Sequence, residues 1–344
     1  MASSTIGGSR IAAIATCVPA RRFDNLTETS GFTQDEVRKV VAMAGVHARR
    51  LAGDSTCSSD LCFAAAKCVL DSLDWSRDSI DALIMVTQSP DFFLPSTACV
   101  IQDRLGLSKD CASFDVGLGC SGYPYGLWLA AMMLKSGGLR RVLLLHGETP
   151  GRFTDSSDRS VALLFGDAGS ATAIEATDSM TVHDWHFVLR TDGSGYKDMI
   201  IEAGAFRNRI SDDARKHCVY MNGANIFNFT IKCVPSLIHD TLQHSGVDKE
   251  SIDYFIFHQS NQFIMKHLMK KLNIQQEKLP IILKSFGNTG GPSVPLTITQ
   301  GDLKRPVDNP LKMMLVGYGV GLSWGSALIE LYPDAILNHV ELQP

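Results

Sequence analysis

Hydrophobic and polar residues follow one another in the first half of the chain in blocks that predict a repeating strand-helix order. Three short aliphatic runs, at 81–89, 111–119 and 140–148, have the length and character of buried strands. Two longer patterns between them, at 96–107 and 121–138, predict helices. This β-α-β-α-β order predicts a mostly parallel sheet covered by helices.

The second half of the chain repeats the scheme. It is predicted to contain a helix, a strand, a helix and a strand, at 224–246, 252–260, 261–273 and 311–319. Each half also closes with an apolar run, a glycine turn and a second apolar run, at 162–176 and 313–331, and we predict strand-turn-strand units there. The matching order predicts a pseudo-twofold α/β architecture made of an N-terminal half, 1–178, and a C-terminal half, 179–344.

Composition narrows the class of protein. The 344 residues are 45% hydrophobic and 20% charged, which allows a large core, and the net charge of −4 without a basic tract argues against a nucleic-acid partner. The N-terminus lacks the pattern of a secretory signal, and no run reaches the ~18 apolar residues of a membrane span. The nine cysteines form no CxxC pair, so we expect a reducing, cytoplasmic location, no membrane association and no metal site.

Three polar side chains follow predicted strands in glycine-rich surroundings. They are Cys120 in "GLGCSG", His258 in "FIFHQSN" and Asn288 in "SFGNTGGPS". Each alone has an ordinary structural explanation: a buried cysteine, a satisfied core histidine and a turn asparagine. In an open α/β sheet, however, chemistry gathers at the carboxyl ends of strands. Together these residues supply a thiol nucleophile and two hydrogen-bond donors, a set suited to thioester chemistry.

The position of Cys120 at the start of a predicted helix leads to an electrostatic expectation. The helix dipole and the free backbone amides of the first turn favour a thiolate, so we expect a lowered pKa for this thiol. The same amides can stabilise the oxyanion that forms on a bound thioester carbonyl.

A series of motifs over nearly the whole chain resembles the β-ketoacyl-acyl-carrier-protein synthase III family, the initiating condensing enzymes of the thiolase superfamily. In chain order they are "GVHARRLA", "PSTACVIQDRLG", "FDVGLGCSG", "SSDRSVALLFGDAGSA", "MNGANIFNF", "HQSNQ", "GNTGGPSVP" and "GYGVGLSWGSAL". The resemblance implies a five-layered αβαβα fold of the thiolase type and a homodimer. It also implies a catalytic triad of Cys120, His258 and Asn288, with backbone N–H groups of Cys120 and Val320 as the oxyanion donors.

The resemblance implies further site residues. Those expected to contact the substrate or coenzyme A are Arg159, Gly223, Asn261, Leu94 and Phe227. In the family, the position of Leu94 reaches across the dimer to close the partner's acyl pocket. On the predicted helix 261–273, one side carries three lysines that we expect to dock an acidic carrier protein, Lys266, Lys270 and Lys271.

Three positions depart from the pattern of the family. Lys39 stands where well-studied members carry a tryptophan that stacks on adenine, and Phe263 stands where they carry an arginine that docks the carrier protein. Val320 replaces a glycine in the loop that donates the second oxyanion amide. These changes leave the identity of the primer and the pathway open between bulk fatty-acid, secondary-metabolite (polyketide) and surface-glycan synthesis.

The predicted reaction is the condensation of an acyl thioester primer with a malonyl thioester, with loss of carbon dioxide and through an acyl-Cys120 intermediate. The expected partners are acyl-coenzyme A or acyl-carrier protein and malonyl-acyl-carrier protein. Coenzyme A or phosphopantetheine enters as part of a substrate, and no separate cofactor is expected. Two alternatives remain at this point: acyl transfer from Cys120 to an alcohol or amine without condensation, and a non-catalytic subunit that supports a paralogue.

Overall fold

The computed structural model describes residues 2–179 and 182–343. In this part of the chain the strands are β1 Ala2–Ile6, β2 Ser9–Pro19, β3 Arg22–Asp24, β4 Ala48–Arg50, β5 Ala82–Val86, β6 Ala112–Val116, β7 Arg141–Glu148, β8 Ala168–Ala176, β9 Trp185–Thr191, β10 Met199–Ile200, β11 Tyr220–Met221, β12 Tyr254–Phe257, β13 Leu311–Gly319, β14 Ser323–Leu331 and β15 Ile336–Leu342. The helices are α1 Gln34–Ala44, α2 Ser58–Leu73, α3 Thr97–Leu105, α4 Gly122–Lys135, α5 Gly223–Ser245, α6 Gln262–Leu272, α7 Leu283–Phe286 and α8 Ser293–Gln300. Every helix and strand predicted in the segments 81–148 and 224–319 is present.

Two large mixed sheets carry the fold. The first has the order β15-β2-β8-β7-β5-β6, and its β5, β6 and β7 are parallel, as the β-α-β-α-β pattern predicts. The second has the order β1-β9-β14-β13-β12, in which only β12 and β13 pair in parallel. The second sheet is mostly antiparallel because a short glycine turn joins β13 directly to β14, and a turn of that length allows only an antiparallel pair.

Each sheet takes a terminal strand from the opposite end of the chain. Strand β1 pairs with β9 in the second sheet, and β15 pairs with β2 in the first. The division into halves at 178/179 stays a prediction, and these exchanged strands tie the two halves together. The short β1 and β15 carry too little periodic apolar sequence to be recognised from the pattern alone.

Helices α4 and α8 lie between the two sheets and contact strands of both. Helix α2 covers the outer face of the first sheet, and α5 covers that of the second, which gives the five-layered αβαβα arrangement. The central core joins Ile84 and Leu144 of the first sheet to Leu315 of the second through Leu127 of α4. Gly126 allows the close approach of α4 to the first sheet, since a Cβ atom there would lie 2.7 Å from Leu144 Cδ1.

One predicted unit is wrong. The segment 162–176 contains only strand β8, and residues 162–164 form turns. These apolar side chains are buried as a strand's would be, and Phe165 makes an isolated parallel bridge to Asn288. A short buried apolar run has the same composition whether it is extended or turned, so the pattern could not distinguish the two.

Within residues 2–179 and 182–343, none of the helices combines the length and the apolar character needed to cross a lipid bilayer.

Candidate active site

Two of the three residues expected at strand ends lie there, whereas Asn288 follows the short helix α7, so its predicted place at a strand end is wrong. Cys120 follows β6 and His258 follows β12, while Val320 follows β13. Two further polar residues, His146 and Glu148, lie at the end of β7. The region is closed to solvent, since only 7% of Cys120 and 2% of His258 are exposed.

Cys120 is a buried neutral thiol, and the expectation of a lowered pKa is wrong. Burial raises the pKa of the thiol to about 12, and the Glu148 carboxylate acts in the same direction. Hydrogen bonds from the backbone N–H groups of Val320 and of Cys120 itself lower it, but not enough to compensate. Helix α4 begins only at Gly122, with Ser121 as its N-cap, so Cys120 lies one residue outside the first turn. Desolvation outweighs the dipole there.

The two backbone amides near the thiol are those expected to form the oxyanion hole. Both reach the Cys120 sulfur, so a carbonyl carbon bound to that sulfur would place its oxygen near the same donors. Gly319 allows this geometry: its φ is 157°, and a Cβ atom there would lie 2.7 Å from Cys120 Cβ. The side chain of Val320 does not block its own N–H.

His258 is held by the loop that follows α7. Its Nδ1 atom lies 3.0 Å from the Gly290 carbonyl oxygen and 2.9 Å from Ser293 Oγ. The carbonyl can only accept, so it favours a proton on Nδ1 and leaves the lone pair on Nε2. The Ser293 hydroxyl can instead donate to Nδ1, which supports the tautomer with the proton on Nε2. Burial lowers the pKa of His258 to about 4, so the ring is neutral at neutral pH.

Asn288 is attached to the same loop and to the segment after His258. Its Nδ2 donates to the Ser260 carbonyl at 3.2 Å, and its Oδ1 accepts from the Gly290 N–H at 3.0 Å. Gly290 therefore binds Asn288 through its amide and His258 through its carbonyl. Gly290 has a φ of +66°, a conformation that glycine adopts without strain.

A narrow cavity of about 40 Å³ connects this loop to the thiol. Cys120, Val320 and Gly290 line it together with Gln88 and Glu148. The structure thus brings Cys120 into one site with Gly290, which positions both His258 and Asn288. Tyr318 lies between His258 and Cys120. Its hydroxyl donates to the His258 carbonyl at 3.2 Å, and its pKa is raised by burial and, less strongly, by Cys120.

Two buried residues of this site were missed in the sequence. Glu148 accepts from the Gln88 N–H at 2.9 Å and from Ser89 Oγ at 3.1 Å, and burial raises the pKa of its carboxyl to about 8. His146 is completely buried, and neither ring nitrogen has a hydrogen-bond partner among the described residues. Burial and the neighbouring His258 lower the pKa of His146 to about 3. The sequence could have indicated both residues, because they are polar and lie at the carboxyl end of the predicted strand 140–148. Cys120 was singled out for the same kind of position.

A second, larger cavity of about 380 Å³ lies on the other side of the segment 164–165. Four of the five residues expected to contact the substrate or coenzyme A line it: Arg159, Gly223, Phe227 and Asn261. Its inner wall includes Leu164, whose carbonyl accepts from the Asn288 N–H at 2.9 Å. A Cβ atom on Gly223 would meet open space, whereas Asn261 caps helix α6 by accepting from the Ile264 N–H.

Comparisons with known proteins identify the family of this chain. Residues 114–193 match the family model of 3-oxoacyl-[acyl-carrier-protein (ACP)] synthase III, and residues 242–331 match the model of its C-terminal part. A β-ketoacyl-[acyl-carrier-protein] synthase III of Syntrophomonas wolfei is 34% identical over 85% of this chain and 88% of its own. The chain belongs to the β-ketoacyl-acyl-carrier-protein synthase III family.

Solved structures of synthases match the fold of this chain over at least 94% of its length. A 3-oxoacyl-(acyl-carrier protein) synthase from Burkholderia xenovorans is 41% identical, covers 99% of both chains and superposes with a TM-score of 0.94. A 3-oxoacyl-(acyl-carrier-protein) synthase III is 35% identical, covers 94% of this chain and 99% of its own, and has a TM-score of 0.88. The predicted family and the thiolase-type α/β fold are confirmed.

Leu94 lies outside the cavity that contains the thiol of its own chain. It is 80% exposed, next to the exposed rings of Phe92 and Phe93. Phe93 packs against Phe206, itself 80% exposed, with 5.6 Å between ring centroids. A contiguous group of exposed apolar side chains marks an interaction surface. The role of Leu94 in a partner's acyl pocket stays a prediction.

The three lysines of α6 are exposed but not equivalent. Lys271 Nζ donates to the Ile231 carbonyl at 2.7 Å, which fixes it against α5. Lys266 and Lys270 make no such bond within residues 2–179 and 182–343, and they extend from α6, the helix that also carries Phe263 of the larger cavity. Docking of a carrier protein at this helix stays a prediction.

Proposed function

We propose that this synthase III catalyses a decarboxylative Claisen condensation of an acyl thioester primer with a malonyl thioester, delivered by an acyl-carrier protein, to give a 3-oxoacyl thioester. Cys120, His258 and Asn288 are the proposed catalytic residues. The observation that carries the proposal is the Gly290 peptide, which binds the histidine on one side and the asparagine on the other and borders the cavity of the thiol.

The first half-reaction acylates the enzyme. Cys120 Sγ attacks the thioester carbonyl of the primer, and its proton passes to Nε2 of His258, which is free because Nδ1 donates to Gly290. The N–H groups of Cys120 and Val320 hold the oxyanion. When the tetrahedral intermediate collapses, the carbon–sulfur bond of the primer breaks and the leaving thiolate takes the proton from His258.

The second half-reaction forms the carbon–carbon bond. The malonyl thioester loses carbon dioxide, and the electron pair moves onto its thioester oxygen as an enolate. Asn288 Nδ2 has one hydrogen beyond its bond to Ser260 and can donate it to that oxygen. After the primer thiol has left, the single ring proton of neutral His258 moves from Nδ1 to Nε2 by exchange with solvent, which gives the tautomer that a Ser293 donor supports, and Nε2 then donates to the same oxygen. The enolate carbon attacks acyl-Cys120, the thiolate leaves, and one proton from solvent restores the neutral thiol.

The proposal extends to a homodimer and to substrates that carry their own phosphopantetheine. The exposed side chains Phe92, Phe93, Leu94 and Phe206 support a dimer because burying them against a second copy would remove a large apolar surface from water. In the proposed steps His258 supplies the acid and base functions, and the N–H groups of Cys120 and Val320 bind the oxyanion. No separate cofactor enters these steps.

Intact-protein mass spectrometry tests the proposal. After exposure to an acyl thioester, the protein should gain the mass of one acyl group on Cys120, and the Cys120→Ala variant should gain none. Addition of malonyl thioester should discharge the acyl group and release one equivalent of carbon dioxide with the 3-oxoacyl product. Discharge by an alcohol or amine without malonyl thioester would show simple acyl transfer instead, and the absence of any adduct would refute the proposed chemistry.

A further inference from the structure

Glu148 is a buried titratable residue of the active site that the proposed steps do not use. It lies at the end of β7 and is 4% exposed. Among the described residues that line the cavity of the thiol, only Cys120 and Glu148 carry titratable side chains. This cavity of about 40 Å³ has room for a water molecule. The carboxyl and the thiol therefore share one small closed space.

Hydrogen bonds and packing fix the Glu148 side chain at the wall of this cavity. Its Oε1 accepts from the Gln88 N–H, and its Oε2 accepts from Ser89 Oγ. A Cβ atom on Gly290 would lie 3.2 Å from Glu148 Cγ, so the side chain packs against the loop that positions His258. Each oxygen accepts one hydrogen bond, and one of them can also carry a proton.

The surroundings of Glu148 keep its carboxyl protonated at neutral pH. Burial raises its pKa to about 8, the hydrogen bonds from Gln88 and Ser89 act against this, and the charge of Asp167 raises the pKa further. The thiols of Cys62 and Cys120 are the other titratable groups that interact with it. At pH 7 about nine in ten of these carboxyls carry a proton. The cavity thus contains an acidic proton beside the nucleophile.

The second half-reaction needs such a proton. Attack by the enolate expels Cys120 as a thiolate, in a site where the pKa of the thiol is about 12. His258 has already given its acquired proton to the primer thiol, and its pKa of about 4 keeps it neutral. A neutral imidazole and the Asn288 amide donate hydrogen bonds but are very weak acids. A leaving group as basic as this thiolate leaves slowly unless another group protonates it.

We propose that Glu148 is a further catalytic residue, which protonates Cys120 as the 3-oxoacyl product forms. The carbon–sulfur bond of the tetrahedral intermediate breaks, and its electron pair moves to Cys120 Sγ. The proton of the Glu148 carboxyl passes to that sulfur across the cavity, directly or through one water molecule. The carboxylate then regains one proton from solvent, which is the proton that the overall reaction consumes. The proposal rests on the proposed function, because it assumes an acyl-Cys120 intermediate.

The first test measures the second half-reaction of the wild type alone. The acyl-enzyme is freed of excess primer, mixed with malonyl thioester and quenched at set times from about pH 6 to pH 9.5. Intact mass follows loss of the acyl group, while carbon dioxide and the 3-oxoacyl product are measured in the same samples. Discharge should be constant below about pH 7 and fall toward tenfold per pH unit above pH 8, as the protonated fraction of Glu148 does. Acyl loading should not show this continuous fall.

The second test removes the proton and keeps the shape. In Glu148→Gln the amide oxygen can accept from the Gln88 N–H and the amide nitrogen can donate to Ser89 Oγ, but no acidic proton remains. Discharge at pH 7 should be about 10²-fold slower, the lower end of what a positioned acid contributes. The fall above pH 8 should disappear, and acyl loading should be nearly unchanged.

Two controls separate this role from a structural one. Transfer of the acyl group back to free pantetheine breaks the same carbon–sulfur bond, but it is the reverse of loading, so Cys120 receives its proton from His258. Glu148→Gln should leave this transfer unchanged. Glu330→Gln makes the same change at another buried glutamate, which lies near the end of β14, bonds His183 Nδ1 at 2.7 Å and does not line the cavity. It should change neither half-reaction.

Equal discharge by the wild type and Glu148→Gln at pH 7 would overturn the proposal, because any slowing above pH 8 would then come from the charge of Glu148. Wild-type discharge that stays constant to pH 9.5, or an equal loss of loading and discharge in Glu148→Gln, would also overturn it. If the variant does not fold, wild-type discharge below pH 7 should still be slower in D₂O than in H₂O, and equal rates would contradict proton transfer. Failure of the wild type to form acyl-Cys120, or of malonyl thioester to discharge it, would instead refute the proposed function.

Discussion

The opposite pKa shifts of Cys120 and His258 determine how acylation should depend on pH. With a thiol pKa of about 12 and an imidazole pKa of about 4, both groups are neutral between those values. If His258 takes the proton as the sulfur attacks, the reactive form is this neutral pair. The rate of acylation in the wild type should then show no steep dependence on pH from about pH 5 to pH 10, and it should fall as the imidazole is protonated at lower pH. The Glu148 carboxyl, which lines the cavity of the thiol and has a pKa of about 8, ionises within this range, so one small step near pH 8 is expected rather than a continuous tenfold rise.

Removing the base should change the shape of this profile. In His258→Ala the only nucleophile is the free thiolate, and a pKa of about 12 leaves a thiolate fraction of about 10⁻⁵ at pH 7. General-base catalysis typically contributes about 10²–10⁴ in rate, so acylation at pH 7 should fall by about that factor. The remaining rate should rise tenfold per pH unit, because the thiolate fraction does.

The assay is single-turnover acylation by an excess of a pantetheine thioester, quenched at set times and read by intact mass between pH 5.5 and pH 9.5. Asn288→Ala serves as the control, because its side chain acts in the second half-reaction and its acylation profile should stay flat. A wild-type rate that itself rises tenfold per pH unit would show that a free thiolate attacks. Equal rates for the wild type and His258→Ala would remove the histidine from this step.

Four further predictions address other parts of the molecule. Gly291→Ala should destabilise the protein by about 3 kcal/mol in denaturant unfolding, since its Cβ would lie 1.8 Å from His146 Cε1. Ser293→Ala should slow malonyl decarboxylation more than acyl loading, because it removes the donor that supports the Nε2 proton of His258. Leu94→Phe should shift kcat/KM toward acetyl over longer primers, at ~0.8 kcal/mol per methylene lost from the pocket. Lys270→Glu should raise KM for malonyl-carrier protein in steady-state assays and leave small thioesters unchanged.

Matched changes make these predictions specific. Gly138→Ala should be nearly neutral because a Cβ there meets nothing within 4 Å. Lys109→Glu alters the net charge equally but lies outside α6, so its KM should not change. Equal stability of the two glycine variants, or equal KM values for the two lysine variants, would contradict the corresponding argument. An unchanged primer profile in Leu94→Phe would exclude Leu94 as the gate, and equal loss of both half-reactions in Ser293→Ala would exclude its tautomeric role.

The strand-helix order could be predicted from the sequence because the spacing of apolar residues within each short segment distinguishes most helices from strands. Cys120 and His258 were found because each directly follows an apolar run that reads as a strand, where chemistry gathers in an open α/β sheet. The two strands belong to different sheets, which the local pattern does not show. The turned segment 162–164 was misassigned because burial, not extension, determines its composition. The pairing of β1 and β15 with the opposite sheets depends on contacts between distant parts of the chain, which no local pattern records.

The electrostatics of the site were predicted with the wrong sign for a related reason. The helix start beside Cys120 is a local feature and argues for a thiolate. The burial that reverses this comes from the other half of the chain, since Gly319 and Val320 close over the thiol from β13. Glu148, which raises the thiol pKa further, comes from β7. A pKa set by three segments far apart in sequence cannot be derived from one of them.

The neutral resting state has a chemical consequence that fits the proposed reaction. Oxidants and stray electrophiles react mainly with the thiolate form of a cysteine. A pKa of about 12 keeps Cys120 protonated between turnovers and so protects it. The same shift makes the thiolate a poorer leaving group toward water and enolate alike, so the acyl group is lost more slowly before the malonyl thioester arrives. The enolate formed by decarboxylation is a far stronger nucleophile than water, and the N–H groups of Cys120 and Val320 are already placed to stabilise the charge during its attack. Burial of the thiol therefore protects Cys120 and lengthens the life of the acyl-enzyme, and the nucleophilicity of the enolate then favours condensation over hydrolysis.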